Sequence, residues 1–146
     1  MAAIVETVLA GTLDGVFATG STAALANNTL ISSGAYTPTT ANYLAAEVEF
    51  AGTFATAPAA STGLSVWFLR APDGTNYEDG AAGVTPARGP DVVLPFAAVT
   101  TAQRVTRLAV VLPPGAVKVL VKNDGSGQSL SAGWSLKVRP LTRQAQ

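Results

Sequence analysis

Two runs of alternating residues, separated by a turn that neither can continue through, constrain this chain more than anything else in it. Residues 105–112 read Val-Thr-Arg-Leu-Ala-Val-Val-Leu and residues 116–123 read Ala-Val-Lys-Val-Leu-Val-Lys-Asn. Successive side chains of a strand point to opposite faces, so Thr106, Leu108, Val110 and Leu112 share one face, and Val105, Arg107, Ala109 and Val111 the other. In the second run Val117, Val119 and Val121 oppose Lys118, Leu120 and Lys122. The period of two and the β-branched content select strand over helix. Between the runs, Pro113 and Pro114 lack backbone donors and Gly115 accepts positive φ, so the chain must turn there. The pattern predicts a β-hairpin with a short loop, one face apolar and the other carrying Lys and Arg.

The rest of the chain repeats the theme. Residues 4–10 alternate weakly ahead of Gly11 and predict a first strand at a sheet edge; Asp14-Gly15 marks a turn, followed by a short strand at Val16, Phe17 and Ala18. Residues 20–42 are rich in Ser, Thr, Ala and Asn, with Leu25, Leu30, Ile31 and Tyr36 as the few anchors, and read as a long loop or arm. Such a length without its own structure is often functional or ordered by a partner; the plainer alternative is a surface loop with one short strand near 29–32. Residues 43–54 form the best long strand, with Leu44, Ala46, Val48, Phe50 and Phe54 on one face. A further strand at 64–70, with Leu64, Val66 and Phe68 inward, is expected to form a hairpin with it. An acidic turn at 72–80 leads through a Gly/Pro-rich stretch to Val92, Leu94 and Phe96, where Pro95 demands an edge or a bulge. Residues 130–141 close the domain with Trp134, Leu136 and Val138 inward, and 142–146 read as an unanchored tail. Seven or eight short strands with turns between them and no amphipathic helix predict an all-β fold, an antiparallel β-sandwich. A jelly roll fits the long crossing loops better than an immunoglobulin-like arrangement.

With 146 residues the chain is one domain's worth, long enough to bury a core without a metal or disulfide staple. There is no Cys and no His, which removes thiolate ligands, disulfides and the commonest general base together. Glu6 inside the first apolar run argues against a secretory signal, and no apolar stretch approaches the about 20 residues of a membrane helix. Only 12% of the residues are charged, against about 25% in an ordinary soluble protein. Either small polar residues cover the surface, or partners do. The charges are also unevenly placed: residues 1–69 hold four acids and no Lys or Arg, whereas residues 70–146 hold all nine cations against five acids. Acidic and basic strands could pair across one sheet, or subunits could pack through complementary surfaces.

Few residues suggest chemistry. Asp73, Asn76, Glu78 and Asp79 offer oxygen ligands for Ca²⁺, but Tyr77 stands where an EF-hand loop needs an oxygen side chain, and a solvated Asp-Gly turn explains them as well. Glu47 and Glu49, on one strand face about 7 Å apart, have a spacing suited to glycosidase carboxylates, with nothing to suggest a cleft. Lys118 and Lys122, with Lys137 and Arg139 if their strands adjoin, could form a basic stripe, but no aromatics interleave them as a nucleic-acid platform requires. Trp67 and Tyr77 are the candidates for stacking a sugar. No residue is assigned a catalytic, cofactor-binding or metal-binding role, and no cofactor is expected.

Read together, residues 66–80 (Val-Trp-Phe-Leu-Arg-Ala-Pro-Asp-Gly-Thr-Asn-Tyr-Glu-Asp-Gly), 111–123 and 127–133 (Gly-Gln-Ser-Leu-Ser-Ala-Gly) resemble small virion structural proteins of tailed bacteriophages, in particular head decoration (cement) proteins with a jelly-roll fold. The resemblance spans about residues 43–139 and consists of strand-and-turn patterns. It implies a non-enzymatic virion structural protein, made in the host cytoplasm and placed on the capsid exterior. Its partners would be the major capsid protein and further copies of itself, as a dimer or trimer, without direct nucleic-acid or membrane contact. The alternative is a tail- or fibre-associated β-sandwich module that binds a host glycan through Trp67 and Tyr77; a β-sandwich enzyme ranks behind both for want of the usual base.

Overall fold

The computed structural model describes residues 6–10, 13–17, 22–38 and 43–145. The expectations for Ile4, Val5, Ala18, residues 20–21 and 39–42, the side chain of Leu44, and Gln146 lie outside the described residues. Within them are nine strands: β1 (Glu6–Ala10), β2 (Asp14–Phe17), β3 (Leu30–Tyr36), β4 (Tyr43–Gly52), β5 (Gly63–Arg70), β6 (Val92–Pro95), β7 (Gln103–Val110), β8 (Val117–Asp124) and β9 (Ser135–Ala145). They form two antiparallel sheets, β1-β9-β4-β7 and β3-β8-β5-β6, with β2 also pairing β9. Because β1 and β2 lie along opposite ends of β9, they share one place in the first sheet, which leaves eight strand positions.

The pairings β2–β9, β3–β8, β4–β7 and β5–β6 nest inside one another. The chain is thus a single long antiparallel ribbon, folded double at the 71–91 loop and then wrapped so that successive segments alternate between sheets. That is the jelly-roll topology, in which a sandwich is closed by wrapping rather than by local hairpins. Two expectations are corrected by it. Strand β7 belongs to the first sheet and β8 to the second, so Pro113-Pro114-Gly115 carries the chain across the sandwich and does not close a hairpin. Likewise β4 and β5 lie in different sheets; β5 pairs β6 and β8 instead.

The core between the sheets is built from the alternation in the sequence. Ala46, Val48 and Phe50 of β4, Leu64, Val66 and Phe68 of β5, Val117, Val119 and Val121 of β8, and Leu136 and Val138 of β9 all turn inward and are buried. Phe96 joins them by packing against Phe50 and Phe54, at centroid distances of 5.6 and 4.8 Å. Strand β6 is an edge, which is where Pro95 can be tolerated. Two further corrections concern the chain's ends. Residues 30–36, within the stretch expected to be a loop or arm, form β3, and Leu25 is anchored by a bridge to Leu130. Residues 142–145, expected to be free, extend β9 and pair with β1.

Candidate functional site

The 71–91 loop, at the ribbon's fold, lies over the outer face of the second sheet. Beneath it Leu30, Trp67, Leu69 and Leu120 form a second, smaller apolar cluster with Tyr77 packed against it. Leu120 and Trp67 point away from the main core yet are buried, because this loop is their cover. Gly80 sits where a side chain would strike Leu120 and Pro86, so the loop can approach the sheet only with glycine there.

Arg88 clasps the loop in place. Its guanidinium donates to Asp91 Oδ1 at 2.7 Å, to the Phe68 carbonyl at 2.9 Å and to Glu78 Oε2 at 3.2 Å. Asp91 in turn accepts from the Phe68 amide at 2.7 Å, and Arg70 donates to Glu78 Oε1. The Asp91 hydrogen bond raises the Arg88 pKa against the opposing effect of burial. Partial burial pulls Glu78 upward, but hydrogen bonds from Arg70 and the Arg88 charge outweigh it and hold its carboxyl below the usual range.

The residues weighed for calcium are occupied with the loop itself. Asp73 Oδ1 accepts the Thr75 and Asn76 amides and Oδ2 accepts the Asn76 side-chain amide, which lowers its pKa to about 2. Glu78 belongs to the arginine clasp, and Asp79 accepts the Ala87 amide. Glu47 and Glu49 are engaged as well: Glu47 pairs with Arg139 and Glu49 with Arg104, across the strands of the first sheet. Acidic and basic strands are therefore neighbours, and much of the lopsided charge is neutralised within one sheet. The basic stripe is not assembled, since Lys118 and Lys122 lie on β8 and Lys137 and Arg139 on β9, in different sheets. Lys118 rests over the Tyr77 ring at 4.4 Å, and Lys122 pairs with Asp124 at 2.8 Å.

The surface feature that alternation alone misses is on β7, the edge of the first sheet. Pairing with β4 slips between Val48–Arg107 and Ala46–Val110, which leaves Leu108 and Ala109 opposite a single β4 residue, a β-bulge. Ala109 adopts φ +56°, a conformation non-glycine residues rarely take. The bulge switches the strand's parity. Gln103 and Val105 face inward before it and Val110 and Leu112 after it; Leu108 and Val111 are left 67% and 74% exposed. Neither face drawn from strict alternation exists along the whole strand. The signal was present in Leu108-Ala-Val-Val-Leu112, five consecutive apolar residues that a two-faced strand cannot all bury. Arg107 reaches across the open side of the sandwich to the Val93 carbonyl on β6.

Compared with protein-family models, with curated proteins and with solved structures, the chain matches none.

Proposed function

We propose that this chain is a non-enzymatic virion structural protein that decorates the exterior of a phage capsid and bridges neighbouring major capsid protein subunits. What carries the reading is how the polar groups are spent. Glu47, Glu49, Glu78, Asp91 and Asp124 each pair with an Arg or Lys of the same chain. Asp73 and Asp79 are taken up by backbone amides. What the described surface offers a partner is thus mostly neutral and small, with apolar side chains projecting at β7. That suits broad protein–protein contact better than acid–base chemistry. The resemblance of residues 66–80, 111–123 and 127–133 to decoration proteins points the same way, while a jelly roll by itself serves many functions. A protein that binds only the assembled shell stabilises it by mass action, offsetting the outward pressure of packaged DNA.

The glycan-binding alternative loses the residues on which it rested. Trp67 is 3% exposed and its indole N–H is bonded to the Arg88 carbonyl. One face of Tyr77 is taken by Lys118. Quantitative mass spectrometry of purified particles of the encoding phage tests the proposal. Copies in the hundreds, on heads separated from tails, are expected; a handful of copies per particle, or a location on tails alone, would overturn it.

A further inference from the structure

We infer that copies of this chain associate head to tail, the β7 edge of one docking against the 71–91 loop of the next. Two surfaces have complementary character, the edge of the first sheet and the 71–91 loop, which meet in one chain where Val111 borders Arg88 and Asp91. At the end of β7, Leu108 stands 67% exposed beside the Ala109 bulge, and Val111, one residue past the strand, 74%. Beside them is Arg107, whose side chain contacts only the Val93 carbonyl and no carboxylate among the described residues. On the 71–91 loop, Val84 is 58% exposed. There Asp73 and Asp79 bond to amides alone, so neither charge is neutralised by a cation among the described residues. Other acids in the neighbourhood, Glu78 and Asp91, are already held by Arg70 and Arg88. Each surface therefore combines an exposed apolar side chain with charge that is hydrogen-bonded but not paired with an opposite charge among the described residues, cationic on one and anionic on the other.

The backbone supports the same reading. A non-glycine residue at positive φ costs free energy, and such positions cluster where function requires them. Here the strained bulge carries Val110 and Leu112 into the core, and Leu108, on the outward face already set by the inward Gln103 and Val105, is left beside it at a sheet edge, outside both apolar clusters of the described residues. Because the two surfaces differ, the contact is heterologous, and such contacts close into rings when the rotation allows. The inference goes beyond the capsid role proposed above and does not depend on it, since it requires no shell.

Sedimentation equilibrium of the full chain, from micromolar to near-millimolar concentration, tests it. Self-association that weakens with added salt is expected. Leu108→Glu alters an exposed side chain, so it should keep the thermal midpoint of the monomer and abolish association. Arg107→Glu and Asp79→Lys should each weaken association by about tenfold or more, since like charges then face each other. The two together in one chain should restore it. A monomer at every concentration, association indifferent to Leu108→Glu, or failure of the paired charge reversal to restore association would overturn the inference. A wild-type chain that mass spectrometry finds on phage heads but that stays monomeric in sedimentation would sink this interface and leave the decoration proposal standing.

Discussion

Val119 and Lys118 are neighbours on β8 with opposite fates. Val119 is fully buried in the main core, and Lys118 lies over the Tyr77 ring outside the sheet. Val119→Asp places an unpaired charge between the sheets at a cost of several kcal/mol. The expected outcome is loss of the cooperative unfolding transition in circular dichroism. Lys118→Ala removes one cation–π contact, worth about 0.5–1 kcal/mol, and should shift the thermal midpoint only slightly. The carboxyl of Asp73 makes a pH-dependent prediction. Its pKa is lowered to about 2 from the ordinary 3.8 by hydrogen bonds from Thr75 and Asn76. A carboxylate that binds its proton less readily when folded stabilises the turn above the free-Asp range, and that contribution disappears as pH falls through about 2. The Thr75 and Asn76 amide resonances should titrate with this low midpoint, and in Asp73→Asn the transition should vanish. Arg88 is the residue whose loss matters most to the loop. Arg88→Met leaves the Phe68 carbonyl without this donor and Asp91 without its cation, and is expected to cost about 1–2 kcal/mol, visible as a redder, more quenchable Trp67 emission when the cover loosens.

At the scale of single strands, β7 departs most from its sequence pattern and β8 least. Val117, Val119 and Val121 point inward as alternation demands, whereas the bulge near the end of β7 reverses parity for its last residue, Val110, and for Leu112 beyond it. Glycine accepts the Ala109 conformation without the Cβ penalty, so Ala109→Gly should stabilise the protein by up to about 1 kcal/mol. Ala109→Val should do the reverse, since a β-branched residue at positive φ is strained further. Denaturant midpoints read both. The Pro113-Pro114-Gly115 turn reads correctly as a break between strands and wrongly as a hairpin. A turn motif reports that the chain reverses, but not whether the next strand lands beside the last one or opposite it. The 71–91 loop shows the converse. Its acidic residues suggest ligands when read along the chain, yet their partners are Thr75, Asn76, Arg70, Arg88 and Ala87. Only folding of the loop over the sheet brings Arg88 to Phe68 and Asp91 in one clasp.

Across the whole molecule, the wrapped ribbon makes the N-terminal segment part of the fold. Leu25 and Leu30 are 1% and 5% exposed, and β3 pairs β8 along one edge of the second sheet. Deleting residues 22–33 should therefore abolish the folded state, seen as loss of the cooperative melt; a shortened chain that still unfolded cooperatively would make the segment a dispensable arm. Local pattern alone settled the all-β class, the inward turn of Ala46, Val48 and Phe50 on β4 and of the alternating apolar residues of β5, β6, β8 and β9, and the edge position of β1 and β6. These follow from side-chain alternation, proline's missing donor and the need to hide apolar surface, all of which act within a few residues. Tertiary structure alone decided which strands became neighbours. It also set the pairing of Glu47 and Glu49 with Arg139 and Arg104, the burial of Trp67 and the bulge on β7. Those depend on contacts between residues tens of positions apart, made when the ribbon wraps, and a period-two pattern looks the same whichever strand it later meets.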